Sequence, residues 1–149
     1  MIKTILKKIG KNSIISQKEI ASAAHEKRNA VLKLSSEIIS KNTNKIIEAN
    51  KEDLLLANKA GLKESYIDRL LLDSKRISAI AESLISISIL PDPLTGKITK
   101  WERPNGLIIS KQPTPLGVLG IIYESRPNVT VDASDLVITS VTSGLLRCG

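Results

Sequence analysis

The sequence has no phenylalanine, one tryptophan and two tyrosines, so aromatic side chains make up only 2% of its 149 residues. A core must therefore be assembled from Ile, Leu, Val and Ala, without the large aromatic anchors that dominate many interiors. The same scarcity removes the stacking platforms on which single-stranded nucleic acid is bound, so no nucleic-acid partner is expected. There is one cysteine, Cys148, and no internal disulfide can form. There is one histidine, His25, and it stands far from that cysteine in the chain. These counts leave no general-base pair, no metal-ligand cluster and no nucleophile–histidine–carboxylate triad. No apolar run approaches the roughly 18 residues that a bilayer span requires, so no membrane partner is expected.

What is present is lysine. The net charge is +7, and the lysines are dispersed along the first hundred positions, mostly on polar helical faces. That pattern describes a solvated surface rather than a concentrated basic patch. Lys3, Lys7, Lys8 and Lys11 alternate with Ile2, Ile5, Leu6 and Ile9. Such a stretch lacks the apolar run of a secretory signal and reads as a first domain helix. The length fits one domain.

From Ile2 to Leu90 the apolar period is helical. A second helix is expected from about Ser16 to Ser40, with a break near His25 and with Val31, Leu34 and Ile38 on its inner side. A third is expected from a Thr43 cap to Ala60, with Ile46, Ile47, Leu54 and Ala57 on one face and Gly61 as its stop. A short helix over Lys63 to Leu71 follows. Asp73 is placed to cap the next, which carries Ile77, Ile80, Ala81, Leu84 and Ser88 on one side. Pro91-Asp92-Pro93 ends the helical half, because proline removes a donor and restricts the residue before it.

The remainder is read as strands. Lys97 to Trp101 and Leu107 to Gln112 flank Asn105-Gly106, the usual chemistry of a tight hairpin turn. Leu116 to Ile122 reads as a strand apolar on both faces, hence buried on both sides. Gly117 and Gly120 within it suggest a close approach of backbone or ligand. The polar loop Tyr123, Glu124, Ser125, Arg126, Asn128 follows, then a helix from Val129 to about Ser140 and a parallel strand from Leu145 to Cys148. Ligands of open α/β sheets bind beyond the carboxyl ends of strands, which singles out this loop. The fold class is α/β: a helical N-terminal half, an antiparallel hairpin at 91–114, and an incomplete Rossmann-like β-α-β unit over 115–149.

Residues 115–132, Pro-Leu-Gly-Val-Leu-Gly-Ile-Ile-Tyr-Glu-Ser-Arg-Pro-Asn-Val-Thr-Val-Asp, resemble the signature of gamma-glutamyl phosphate reductase, a family of the aldehyde dehydrogenase superfamily. Glu48 to Asp53, Ala60 to Leu62, Ile67-Asp68-Arg69-Leu70 and Pro91 to Pro93 resemble the family's N-terminal landmarks in order and spacing. The resemblance implies an aldehyde dehydrogenase-like fold and a cytoplasmic enzyme of proline biosynthesis. The implied reaction is the NADPH-dependent reduction of L-glutamate 5-phosphate to L-glutamate 5-semialdehyde. It also implies that residues 1–149 are the N-terminal part of a cofactor-binding domain, ending before the family's catalytic cysteine. Cys148 stands at a family glycine. On this reading the chain alone is inactive, and a homo-oligomer or a complementary C-terminal chain is the expected partner. The alternative is a non-catalytic remnant or association module.

The resemblance carries an oxyanion-donor role onto Asn128, which could equally cap the following helix. Arg126 could bind an acyl phosphate or a carboxylate, or pair with Glu124 or Asp132 at the surface. Ser125 is a second substrate-binding candidate. Arg147 matches a basic family residue that implies contact with the cofactor's ribose or phosphate. The chain departs from the family pattern after Asp132: Thr139 replaces Lys, Val141 replaces Gly, Thr142 replaces Asn and Cys148 replaces Gly. A β-branched Val141 would sit badly in a left-handed turn position, so the turn is expected to move to Ser143-Gly144.

Overall fold

The computed structural model describes residues 2–95 and 98–148. Five helices come first: α1 (Ile2–Ser22), α2 (His25–Lys41), α3 (Thr43–Lys59), α4 (Glu64–Leu70) and α5 (Ser74–Ser88). Then come β1 (Thr99–Glu102), β2 (Ile108–Lys111), β3 (Val118–Tyr123), α6 (Pro127–Thr139) and β4 (Ser143–Cys148). The two strand pairs are separate sheets, β1–β2 antiparallel and β3–β4 parallel. The order of helices, antiparallel pair and parallel β-α-β unit is that expected from the periodicity.

The core lies between α2 and α5, where Leu32, Ile77, Ala81 and Leu84 are buried. The face α2 turns inward is not the one its apolar residues suggest. Arg28, Leu32 and Ser36, at i, i+4 and i+8, are buried, whereas Val31, Leu34 and Ile38 are exposed. Arg28 and Ser36 can go inside because each finds a partner. Ser36 Oγ donates to the Ala81 carbonyl oxygen at 2.8 Å. The Arg28 guanidinium donates to the Asp92 carboxylate and, at 3.3 Å, to the Ala23 carbonyl oxygen. A buried polar group that is paired loses the desolvation penalty that would otherwise turn it outward.

Helix boundaries follow local chemistry. The first helix runs on to Ser22 rather than yielding near Ser16, and the break falls at Ala23-Ala24, where Ala24 is extended. Asp73 caps α5 as expected, accepting from the Arg76 backbone N–H at 2.7 Å. Thr43 does not cap α3: it is the first helical residue, and its hydroxyl donates to the Ser40 carbonyl oxygen. α3 ends with Gly61 at φ 69°. The Gly61 and Leu62 N–H groups return to the Asn58 and Ala57 carbonyls at 3.0 and 3.2 Å, the double closure of a Schellman motif. Asn50, buried in α3, donates to the Leu70 carbonyl oxygen at 2.9 Å and accepts from the Leu72 N–H at 2.7 Å. It thereby fixes the segment that joins α4 to α5.

The hairpin forms, with Trp101 opposite Ile109; the expected start at Lys97 lies outside the described residues. Its loop is Pro104-Asn105-Gly106 rather than a two-residue Asn-Gly turn. The Gly106 N–H reaches the Arg103 carbonyl oxygen, and Gly106 is left-handed at φ 81°. Proline at the first central position followed by a left-handed glycine is the three-residue solution.

β3 begins at Val118 and is not buried on both sides. Tyr123 faces α6, its hydroxyl 2.6 Å from Thr130 Oγ1. Ile122, on the opposite face, is 81% exposed. Only β4 pairs with β3 among the described residues, and a two-stranded sheet covered on one face cannot bury a strand twice over. The close approach anticipated at Gly120 is absent, since a Cβ there would meet nothing. It occurs instead at Gly144, where a Cβ would lie 3.1 Å from a Val137 methyl. Glycine there lets α6 pack closely on β4.

The turn from α6 to β4 stays at Val141. That residue is left-handed at φ 56° and 1% exposed. The Val141 and Thr142 N–H groups bond to the Ile138 and Val137 carbonyls at 3.2 and 2.7 Å. The expectation that the turn would shift to Ser143-Gly144 fails, because both residues are already in β4. The Schellman closure and burial of the valine together hold a conformation that a β-branched residue resists.

Candidate active-site cavity

α6 starts two residues earlier than its apolar pattern suggests, with Pro127 at its first position. Proline suits that position, having its φ preset and no N–H to leave unsatisfied. Arg126 is the N-cap residue and makes no side-chain cap bond. Asn128 is therefore inside the first turn and does not cap the helix. Its Nδ2 donates to Asp132 Oδ2, one turn on, at 3.0 Å. A carboxylate only accepts, so this contact dictates which end of the carboxamide faces it. One of the two amide N–H groups is used, and the other is left.

Asn128, Arg126 and Asp132 line a cavity of about 440 Å³ whose opposite wall is helical: Asp68, Arg69, Leu71, Leu72, Arg76, Ala79, Ile80 and Ser83. This volume is within the roughly 300–1,000 Å³ usual for small-molecule sites. No carboxylate lies within ion-pair distance of Arg126 among the described residues, so the pairing with Glu124 or Asp132 does not form. The fixed end of the far wall is Arg76. It donates to the Asp68 carboxylate at 2.7 Å, to the Asp68 carbonyl oxygen, and to the Leu71 carbonyl oxygen at 3.0 Å. The Arg69 guanidinium lies 5.7 Å from the centre of the Tyr66 ring, within cation–π range.

The structure thus brings Arg126 and Asn128 to one cavity and leaves Ser125 and Arg147 outside its lining. Ser125 is half-buried with a left-handed φ of 48°, an uncommon conformation for a residue with a side chain. Arg147 is exposed near the end of β4, opposite Ile122. Cys148, exposed, follows it opposite Tyr123. Sequence reasoning missed Asp68, Arg69 and Arg76 as site residues. The signal for Asp68 and Arg69 was present in the Ile67 to Leu70 landmark, but only the packing of α5 against α6, with α4 tied to α5 through Arg76, gives it a place.

A dinucleotide finds a partial fit. An arginine at the end of the second parallel strand is where a ribose 2′-phosphate is accommodated in doubly wound folds, and Arg147 has that position. The turn after β3, Glu124-Ser125-Arg126, lacks the glycines that let a backbone approach a pyrophosphate.

His25 serves another corner. Its Nδ1 is 3.6 Å from Asp92 Oδ2, and its Nε2 is 2.9 Å from Asn29 Nδ2. With Arg28 it joins the α1–α2 break to the Pro91-Asp92-Pro93 turn. Burial raises the Asp92 carboxyl pKa, but the Leu94 N–H and the Arg28 guanidinium more than offset this, and the net shift is downward. Asp135 behaves oppositely. It is fully buried in α6, and no side chain among the described residues hydrogen-bonds either carboxylate oxygen. Burial pushes its pKa up to about 6, the Leu136 backbone N–H offsets part of that rise, and nearby Asp132 adds to it.

The helical layer, the antiparallel pair and the β3–α6–β4 unit define a mixed α/β chain with a polar turn at the carboxyl end of its first parallel strand. The comparisons sharpen this. No family model matches the chain. A gamma-glutamyl phosphate reductase of Allorhizobium ampelinum is 45% identical over 99% of the chain, and one of Thermoanaerobacter is 51% identical over 82% of it. Crystal structures of gamma-glutamyl phosphate reductase from Thermotoga maritima and Saccharomyces cerevisiae superpose with TM-scores of 0.84 and 0.86. They are 37% and 30% identical and cover 93% and 95% of the chain. The chain is homologous to gamma-glutamyl phosphate reductase over essentially its whole length. It spans about a third of the length of the curated relatives, 35% for the Allorhizobium protein, and 34% and 36% of the two solved chains.

Proposed function

We propose that the chain supplies the substrate-facing wall of a gamma-glutamyl phosphate reductase, which reduces L-glutamate 5-phosphate to L-glutamate 5-semialdehyde and releases phosphate. The observation that carries this reading is the carboxamide of Asn128, held by Asp132 at the rim of a cavity that also contains Arg126. The spare amide N–H of Asn128 donates to the oxygen on which charge develops as the acyl carbon becomes tetrahedral; a pre-aimed donor acts there without reorganisation. Arg126 neutralises the acyl phosphate through its planar donor fork. Ser125, next to it, contributes a hydroxyl to the same anion. NADPH supplies the hydride when bound, and Arg147 takes its 2′-phosphate. Residues 1–149 form the N-terminal part of the cofactor-binding domain. They work in the cytoplasm with a complementary C-terminal segment or a further copy of the chain.

The test is a chimera in which this chain replaces the matching segment of the Thermoanaerobacter relative. The chimera is expected to form NADPH from L-glutamate 5-semialdehyde and phosphate. Asn128→Ala should lower kcat by about 10²–10³. A folded chimera without activity, or an Asn128→Ala variant as active as its parent, would overturn the reading.

A further inference from the structure

The cavity has two chemically different walls, and the substrate reading above uses only one of them. Arg126, Asn128 and Asp132 come from the start of α6. Facing them, α4 presents Asp68 and Arg69, adjacent residues of opposite charge, on the same lining. Leu71, Leu72, Ala79 and Ile80 add an aliphatic part to the same lining. Charged groups from both elements and methylene-compatible surface in one lining suit a short chain with a polar group at either end.

We propose that the Asp68-Arg69 pair is the subsite for the α-amino and α-carboxylate groups of the substrate. This inference rests on the reductase reading and names the residues that select an amino acid. Arg69 takes the α-carboxylate. Its guanidinium lies over the Tyr66 ring, 5.7 Å from the ring centre, a contact that limits the rotamer freedom lost on binding and leaves N–H donors for a carboxylate. Asp68 takes the α-ammonium. Arg76 binds only its Oδ1 and its own backbone carbonyl, so Oδ2 remains an acceptor on a carboxylate whose orientation is already set. Arg76 also holds the Leu71 carbonyl, and Asn50 holds Leu70 and Leu72 on either side. The α4–α5 corner that carries the pair is thereby tied down from two directions before any ligand arrives. The acyl end of the same molecule then lies against Arg126 and Asn128. Specificity for an α-amino acid thus resides in the helical half, and the anion chemistry resides in α6.

The experiment is a titration of ¹⁵N-labelled residues 1–149 with L-glutamate, glutarate and 4-aminobutyrate, followed by NMR. Glutarate lacks the α-ammonium and 4-aminobutyrate lacks the α-carboxylate. L-Glutamate is expected to shift the Arg69, Ala79 and Asn128 resonances and to bind at least about tenfold more tightly than either analogue. Arg69→Ala should erase the advantage over 4-aminobutyrate, and Asp68→Asn the advantage over glutarate. Arg69 has no tie to Arg76, so its replacement leaves the corner intact if the Asp68 variant unfolds. Equal affinity for all three ligands, or shifts confined to residues outside the cavity, would overturn the assignment. Turnover plays no part in this titration. Discrimination without chimera activity would retain the subsite and reject the reductase reading; chimera activity without discrimination would reject the subsite alone.

Discussion

The helical layer with its 91–93 turn and the β3–α6–β4 unit each contain an aspartate shielded from solvent, partly for Asp92 and fully for Asp135, and a helix closed by a Schellman motif, and they treat both differently. In the helical layer Asp92 has Arg28 as its partner and a net lowered pKa, and Gly61 occupies the left-handed position. In the β3–α6–β4 unit Asp135 has no cationic or side-chain partner among the described residues and a raised pKa, and a valine occupies the left-handed position. Ser125, also left-handed, lies in the same unit. The helical layer satisfies its local rules, and the violations gather within some twenty residues of the candidate site. Such clustering is what functional or constrained segments show when their surroundings over-determine them.

The contrast between the aspartates can be broken from the helical side. Arg28→Ala removes the buried partner of Asp92 and leaves that part-buried carboxylate beside an unfilled space. Removing one partner of a buried pair typically costs about 3–5 kcal/mol, and urea denaturation should show a loss of that size. A loss below about 1 kcal/mol would mean that the pair is not what joins the α1–α2 break to the 91–93 turn.

From the other side the contrast is sharpened by pH. Asp135 titrates near 6 when folded and near 3.8 when unfolded. The folded state therefore holds the extra proton, and stability falls as pH rises from about 4 to about 6. The two-unit rise corresponds to a loss on the order of 3 kcal/mol, complete above pH 6. Asp92 has the opposite sign: its stabilisation is present above its unfolded value and is lost as pH falls below about 4. Asp135→Ala should flatten the stability profile between pH 4 and 6 and leave the acid limb unchanged. A profile in the variant as steep as in the parent would show that Asp135 does not ionise in isolation.

The paired turns supply the smallest effects. Gly61→Val adds a Cβ to open space, so its cost is backbone alone, about 1–2 kcal/mol for a left-handed non-glycine residue. Val141→Gly relieves the same strain but removes a buried valine worth about 1.5–3 kcal/mol. Thermal unfolding should place it within about 1 kcal/mol of the parent. A gain above 2 kcal/mol would show that burial does not hold Val141 in place.

Much of this was legible in order along the chain. The helix over Thr43 to Ala60, the Asp73 cap, the Gly61 stop and the break at Pro91 are local effects, and each formed within a residue or two of expectation, whereas the start of the second helix moved from Ser16 to His25. The inward face of α2 was not legible, because Arg28 and Ser36 face inward only when Asp92 and the Ala81 carbonyl, 64 and 45 positions away, are there to receive them. Nor was the exposure of β3 legible: an apolar strand reads as doubly buried whether or not neighbours cover it.

The sequence by itself determined the helical layer, the hairpin, the strand–loop–helix that holds Arg126 and Asn128, and the kinship to gamma-glutamyl phosphate reductase, because each is written in contiguous residues. Only the tertiary structure decided that Arg28 and Ser36 turn inward, that a buried Val141 keeps the turn, and that Asp68 and Arg69 line one cavity with Arg126 and Asn128. Those outcomes depend on which surfaces meet. Burial and long-range pairing are set by the whole chain, and they outweigh local preferences of about 1–2 kcal/mol.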